Sequence, residues 1–153
     1  MNERGYTLRS RFLVARWSDR LQKPASKFGD DHRDLLPRRI TNAQLYGLYN
    51  IVRNTRHFSD IRRFIQHQGE KAGRAGRWDV KGYWEDLLKM LNDLKEETKT
   101  LHEQTGPLPA AEDPKSALDA LHCQLVEEYV QHLIAHSLYW TPQRQGKGGR
   151  HSR

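Results

Sequence analysis

Basic side chains are concentrated in residues 40–81, at a density that suits contact with a polyanion. The stretch holds eight Lys and Arg residues against three acidic ones, Asp60, Glu70 and Asp79. Guanidinium groups can donate paired hydrogen bonds to phosphate oxygens, and ammonium groups bind phosphate as point charges. The basic residues are Arg53, Arg56, Arg62, Arg63, Lys71, Arg74, Arg77 and Lys81, with Arg38 and Arg39 just before them. We expect these ten side chains to form a nucleic-acid-binding surface on one side of a helical pair.

Two helices are predicted to position these side chains. Apolar residues recur at three- and four-residue steps, which is the spacing of one helix face. Thr41 and Gln44 fit a capping box, so the first helix is expected to begin at Thr41. Ser59 is the expected cap of the second helix, and Gly47 is expected to allow close approach by another helix. The apolar positions are Leu45, Leu48, Tyr49 and Val52, then Ile61, Phe64, Ile65 and Ala72.

The second helix is expected to end within the segment AGRAGR, residues 72–77. One interpretation is an ordinary glycine stop at Gly73 or Gly76. The other is a loop whose backbone amides and arginines bind phosphate. The sequence alone leaves both interpretations open.

The whole chain is predicted to be all-α, a compact bundle of four or five helices over residues 39–139. Residues 1–38 are predicted to form a flexible N-terminal extension, with a short helix over 10–22 and a loop over 23–37. This extension could pack on the core or dock on a neighbouring subunit. Further helices are expected over 83–102 and 116–138, and the second has the wide apolar face of a central helix. Residues 140–153, which begin beside Thr141-Pro142, are predicted to be a disordered basic tail.

Composition limits the classes of function that the chain can serve. Its 153 residues suit one domain with a modest core. The single cysteine, Cys123, excludes an intramolecular disulfide and a Cys-rich zinc site. Neither a secretory signal nor an apolar run of about 20 residues is present, so we expect a cytoplasmic location without membrane contact. Residues 85–139 hold four basic and eleven acidic residues, whereas residues 1–39 hold ten and five. This asymmetry favours nucleic acid at one surface and permits contact between copies.

Three residue patterns could carry chemistry, but each also has a plain structural interpretation. His132 and His136 have the four-residue spacing that can place two imidazoles on one metal, or they lie at a helix surface or interface. The segment DDHRD, residues 30–34, could bind a cation or simply be solvated. Arg62 and His67, five residues apart, form the third pattern, and their plain interpretation is a pair of side chains on a helix surface. We expect no catalytic residue, metal or cofactor.

Two tryptophans lie next to the basic stretch. Trp84 belongs to the apolar stripe of its helix, so we expect it to be buried. Trp78, between Arg77 and Asp79, could be exposed and stack on nucleobases, or it could close the bundle.

Three segments resemble the small α-helical subunit of type III CRISPR effector complexes. Residues 39–52 (RITNAQLYGLYNIV) resemble its first core helix, residues 60–74 with their final Ala-Gly-Arg resemble its second, and residues 129–139 resemble its last. The resemblance covers about Arg39–Tyr139. It implies a non-catalytic subunit that stacks in several copies as a filament. Its basic face would hold the guide RNA, the target RNA or their duplex, beside the other subunits of an antiviral ribonucleoprotein complex.

Two other classes of function stay open at this point. Arg62 and His67 loosely resemble the Arg-x4–6-His element of HEPN ribonucleases, which would make the chain a small helical ribonuclease or toxin. A DNA-binding regulator or a protein–protein adaptor is the third class. An intact RNA substrate would exclude the ribonuclease, and competition between DNA sequences would test the regulator.

Overall fold

The computed structural model describes the backbone of residues 3–36, 38–106 and 113–151, and the side chains of residues 5, 8–36, 38–106 and 113–138. Within these ranges the chain is helical apart from short connections, and it has no β-strand. The predicted all-α class is confirmed. No helix in this part of the chain is both long and apolar enough to cross a bilayer. The helices are α1 Glu3–Asp31, α2 Asn42–Asn54, α3 Phe58–Arg74, α4 Trp78–Thr105 and α5 Pro114–His151, with a 3₁₀ turn at Arg33–Leu35.

Helix α5 lies at the centre of the bundle and contacts each of the other four helices. Its inward side chains, including Leu125, Tyr129 and Leu133, are fully buried. They recur at four-residue steps, and neighbouring Val126 and Val130 widen the stripe, so α5 has an apolar face broad enough for several partners. The expected central position of the last helix is confirmed.

Helix α1 is longer than the short helix expected over residues 10–22, and it belongs to the core. It packs on α5 and α4. Its residues Val14, Leu21, Ala25 and Phe28 are buried, at the spacing of one helix face. The predicted loop over residues 23–37 is wrong for residues 23–31, and the bundle does not begin at residue 39. The N-terminal segment packs on the core, which is one of the two placements that the sequence left open.

Pro24 lies inside α1 and does not end it. A proline has no N–H, so the helix loses one hydrogen bond there, and an interior proline costs about 3 kcal/mol. Ala25 and Phe28, which follow in the next turn, are 0% and 7% exposed. Burial of one large apolar side chain stabilises a fold by about 1.5–3 kcal/mol. Packing of this turn therefore offsets the local cost of proline. The prediction of a loop at Pro24 did not include this packing.

Helix α2 begins as the sequence predicted. The Gln44 N–H donates to the Thr41 hydroxyl at 3.2 Å, and the Thr41 N–H donates to Oε1 of Gln44 at 2.9 Å. The capping box is thus confirmed. Gly47 brings α2 close to α3, because a Cβ at this position would lie 3.3 Å from Cζ of Phe64.

The last two helices extend beyond their predicted ends. Helix α4 begins five residues before Tyr83 and ends at Thr105. The backbone of α5 continues past its expected end at Leu138, through Thr141-Pro142, to His151. A proline removes one helical hydrogen bond and, as in α1, does not by itself end a helix. Residues 107–112, between α4 and α5 in the chain, and residues 152–153 lie outside the described part.

Candidate nucleic-acid interface

Helix α3 carries the candidate interface, and its first turn is held by α5. The N-cap is His57, two residues before the Ser59 cap that the sequence predicted, and its side chain makes no capping bond. Instead, the Phe58 N–H donates to Oδ1 of Asp119 on α5 at 3.0 Å. A carboxylate there satisfies a free amide and interacts favourably with the helix dipole. The start of α3 therefore depends on a side chain that is distant in sequence.

The buried face of α3 determines which of its basic side chains point outward. Ile61, Ile65 and Ala72 are buried, and successive residues advance about 100° around a helix. Arg63 and Arg74 therefore lie about 160° and 180° from Ile65, on the solvent side, separated by about 16 Å along the axis. Both side chains are exposed, as is Lys71 about 120° from Ile65. The structure thus brings Arg63, Lys71 and Arg74 onto the outer side of α3.

Glu70 also lies on this outer side, about 140° from Ile65, but it is not paired with these cations in the described part of the chain. Within the described ranges, no ion pair involves Arg63, Lys71, Arg74 or the exposed Arg77. We call these four side chains the basic face. Two of the three acids in the same stretch are engaged elsewhere. Asp60 accepts the Thr55 hydroxyl at 2.7 Å, and Asp79 pairs with Arg39. Four exposed cations are therefore available to a polyanion.

The turn that joins α3 to α4 is a Schellman motif. Gly76 has φ +71°, a backbone conformation that favours glycine. Its N–H donates to the Gly73 carbonyl at 3.1 Å, and the Arg77 N–H donates to the Ala72 carbonyl at 2.9 Å. The interpretation of AGRAGR as a glycine stop is confirmed. A phosphate loop built from the amides of residues 75–77 is excluded, because all three amides already donate within the helix end. In this turn, only side chains remain available to contact phosphate.

Trp78 is the first residue of α4 and is 68% exposed. Of the two interpretations of this residue, the exposed one is confirmed. The Nζ of Lys81, one turn later, lies 5.5 Å from the Trp78 ring centroid. The stem of Lys81 packs on α3, since a Cβ at Gly73 would lie 3.3 Å from its Cδ. Trp84, by contrast, is 0% exposed, as predicted.

A groove of about 690 Å³ runs between α3 and α4. Its apolar lining residues include Ile65, Trp84 and Leu88. Its charged lining is mixed, since three cations stand near two acids, and this suits a phosphate backbone less well than the basic face does. Lys89 was missed at the sequence level, because only the packing of α4 on α3 turns it into the groove. The charged lining residues are Arg62, Lys81, Lys89, Glu70 and Glu85.

Of the other predicted contacts, Arg53 lies away from the basic face. Arg53 is over the ring of Tyr49, 5.4 Å from its centroid, on the side of α2 that meets α5. Burial and Glu128 raise the pKa of Glu127 on α5, and Arg53 opposes that shift. The geometric expectation that all ten cations share one side is therefore wrong, because α2 turns Arg53 towards α5. Arg38 and Arg56 are exposed, and their contact with nucleic acid stays a prediction.

Arg62 and His67 are not brought together on α3. Five residues correspond to about 140° around a helix. Arg62 is half-buried and its guanidinium lies 5.4 Å from the Phe58 ring centroid, while His67 is exposed. Within one chain, this arrangement does not present the two side chains to one phosphate.

His132 and His136 join α5 to α1. Nε2 of His132 lies 2.9 Å from the Ser18 hydroxyl, which also donates to Oε2 of Glu128 at 2.8 Å. Nε2 of His136 lies 2.7 Å from Oδ1 of Asp30. The interface interpretation of these histidines is confirmed. Their partners on α1 had no signal in the sequence, because they meet only when α1 packs on α5.

The acidic segment at the end of α1, residues 30–34, makes contacts within the fold. Besides the pair of Asp30 with His136, Asp31 pairs with Lys27 at 2.9 Å, and Nε2 of His32 lies 3.4 Å from Oδ2 of Asp86 on α4. Across the described side chains, no three His, Cys, Asp or Glu residues are grouped to hold a metal ion.

Comparison of the chain with models of protein families, with curated proteins and with solved structures gives no match.

Proposed function

We propose that this protein binds RNA through the basic face and contacts phosphates without selecting a sequence. In this proposal the chain is a non-catalytic small subunit of a cytoplasmic type III CRISPR-like ribonucleoprotein. Its ligand is the guide RNA, the target RNA or their duplex. Contacts with phosphate are independent of sequence, which suits a subunit that must accept any guide and target.

One observation carries the proposal: Arg63, Lys71, Arg74 and Arg77 are exposed on α3 and its C-terminal turn, and none is paired with a described carboxylate. An anionic ligand therefore does not have to displace an internal partner. Arg63 and Arg74 lie about 16 Å apart on one helix face, a span that several nucleotides of backbone can follow.

The separation of Arg62 from His67 favours binding over cleavage. A ribonuclease of the HEPN type needs its arginine and histidine at one phosphate, whereas here Arg62 is half-buried with its guanidinium 5.4 Å from the Phe58 ring centroid and His67 is exposed. The same basic face would also suit duplex DNA, so a DNA competitor belongs in the binding assay.

Assembly into several copies is supported by an apolar surface on α1. Leu8 and Phe12, four residues apart, are 62% and 63% exposed. Exposed apolar side chains on one helix face favour contact with another chain. Replacing Phe12 with Ser should reduce concentration-dependent self-association in sedimentation velocity, and unchanged association would contradict this use of α1.

The direct test is charge reversal on the basic face. The double variant Arg63→Glu, Arg74→Glu should weaken binding to RNAs of unrelated sequence to a similar extent. It should also reduce the magnitude of the slope of log K against log salt concentration by about 1.4, because each lost phosphate contact removes about 0.7 from that slope for a single strand. Fluorescence anisotropy over a salt series measures both quantities.

A matched control makes the same change of net charge elsewhere. The variant Lys99→Glu, Lys115→Glu reverses two exposed lysines of α4 and α5 and should retain most of the affinity. Equal losses in the two double variants would indicate a general charge effect, and an unchanged affinity of the Arg63, Arg74 variant would refute the proposed surface.

A further inference from the structure

Trp78 exposes a large aromatic ring at the edge of the basic face. Its side chain is 68% exposed, more than any other large hydrophobic residue in the described chain. On α4 it lies about 180° from Leu87, the middle of the buried stripe. Bundle packing therefore does not explain a tryptophan at this position, where any polar residue would serve the helix.

Two glycines lie close to Trp78 in the chain, and neither carries a side chain that could cover its ring. Gly76 precedes it by two residues and Gly82 follows one helical turn later. A Cβ at either glycine would meet no atom within 4 Å. The ring is 68% exposed and so has room for a flat ligand, and among the described residues Lys81 is the cation that contacts it.

Lys81 is held where it can serve both the ring and an anion. Its stem lies across α3, with Cδ, Nζ and Cε 3.3–3.8 Å from the Cβ position of Gly73. Its ammonium then reaches the Trp78 ring, 5.5 Å from the centroid. Arg74 and Arg77, both exposed, flank the same turn. An aromatic surface and three cations are thus gathered within eight residues of the chain.

We infer that Trp78 is a stacking platform for an unpaired nucleobase, so that the ligand at this end of the basic face is single-stranded RNA. This inference rests on the proposed function and specifies its substrate class. An aromatic ring stacks on any base, whereas the cations bind the phosphates on either side of it. In a duplex the bases stack on one another and offer no free face along the helix. Trp78 therefore distinguishes a single strand from a duplex without reading its sequence.

The test compares three fluorescein-labelled probes of equal length. They are a single-stranded oligouridylate of about 12 nucleotides, within the usual site size, its abasic counterpart with the same phosphates, and a blunt RNA duplex. Trp78→Ala should weaken binding of the oligouridylate by roughly 5- to 100-fold, the range expected for loss of one stacked base. Binding of the abasic strand and of the duplex should not change, because neither presents a free base.

Two further variants make the result specific. Trp78→Phe keeps an aromatic ring and should retain most of the affinity for oligouridylate. Tyr46→Ala removes another exposed aromatic side chain, 50% exposed on α2, and should bind all three probes like the wild type. We expect each variant to fold, because the side chains of Trp78 and Tyr46 are both exposed. Circular dichroism checks this.

The outcomes separate the inference from the proposed function. If Trp78→Ala binds oligouridylate like the wild type while Arg63→Glu, Arg74→Glu weakens every probe, the phosphate surface stands and the stacking platform is refuted. If the arginine variant binds every probe normally, the proposed function itself fails. Equal losses on all three probes in Trp78→Ala would also refute stacking, because the abasic strand has no base to lose.

Discussion

The carboxylate of Asp119 on α5 accepts the backbone N–H of Phe58, the first residue of α3, at 3.0 Å. Its other oxygen lies 3.6 Å from Nδ1 of His57. The helix that carries the basic face therefore begins at a point set by the central helix of the bundle. Since the start of a helix sets the angular position of every later residue, this contact helps to determine which way Arg63 and Arg74 point.

Replacing Asp119 with Ala should lower the free energy of unfolding by about 1 kcal/mol, the usual cost of losing a helix N-cap acceptor. Asp119→Asn keeps an acceptor oxygen and should lose less. Urea unfolding at neutral pH measures both. Asn and Ala variants of equal stability would contradict a capping role for the Phe58 contact.

Replacing Gly76 with Ala and replacing Gly82 with Ala should change the free energy of unfolding in opposite directions. Gly76 has φ +71°, so Gly76→Ala should lower the free energy of unfolding by about 1 kcal/mol through left-handed backbone strain. Gly82 lies within α4, and a Cβ there meets no atom within 4 Å. Gly82→Ala should therefore raise the free energy of unfolding by about 0.5–1 kcal/mol through helix propensity. Thermal or urea unfolding compares the two variants, which differ from wild type by the same methyl group.

A stabilising Gly76→Ala would show that the Schellman turn does not require a left-handed residue. A destabilising Gly82→Ala would show that α4 has a neighbour at that position in solution.

His122 should make stability fall as the pH is lowered. The side chain is 2% exposed and its Nε2–H donates to the Leu91 carbonyl at 2.9 Å. Burial, with smaller contributions from Lys95 and Arg62, holds its pKa below the ordinary value, while the Leu91 bond and Asp119 oppose the shift. The folded state then binds a proton less readily than the unfolded state. The contribution to stability is fully present above about pH 6.5 and is lost as the pH falls towards the lower folded-state pKa.

The variant His122→Gln retains an N–H donor but does not titrate. Its free energy of unfolding should therefore fall less than that of the wild type between pH 7.5 and pH 5. Every other side chain is the same in the two proteins, so the difference between their pH profiles isolates His122. Parallel profiles would contradict its buried neutral state.

Tyr83 carries a buried hydroxyl that the fold does not use. The side chain is 1% exposed, and no described group forms a hydrogen bond with its hydroxyl. Burial, and then Tyr129, raise its pKa above the ordinary range. Tyr83→Phe removes this unsatisfied group and should raise the free energy of unfolding by about 1 kcal/mol, or leave it unchanged.

Ser18→Ala provides the contrasting case, because the Ser18 hydroxyl is bonded to both Glu128 and His132. That variant should lower the free energy of unfolding by about 1 kcal/mol or more. A Tyr83→Phe variant less stable than the wild type would show that the Tyr83 hydroxyl is hydrogen-bonded in solution.

The features that depend on neighbouring residues in the chain were predictable. The capping box of Thr41 and Gln44 involves residues three apart, and the buried stripe of α3 repeats within single helical turns. That stripe also indicated that Arg63 and Arg74 point away from the core. Burial of Trp84 followed in the same way from its place in the α4 stripe.

The features that depend on distant contacts were not predictable. Pro24 continues a helix because the adjacent turn packs on the bundle, and Arg53 turns towards α5 because of the way in which α2 packs. The sequence left the exposure of Trp78 open because it placed the start of this helix at Tyr83, whereas α4 begins at Trp78 and holds it opposite the buried stripe.

By itself, the sequence determined the all-helical class, the central place of α5 and the outward direction of the cations on α3, because helical periodicity is a local property of three- and four-residue steps. Tertiary structure alone decided that α1 belongs to the core, that Asp119 starts α3, and that the basic face ends beside an open Trp78. Each of these depends on which surfaces meet when the apolar stripes of different helices are buried together, and a one-dimensional pattern does not contain those pairings.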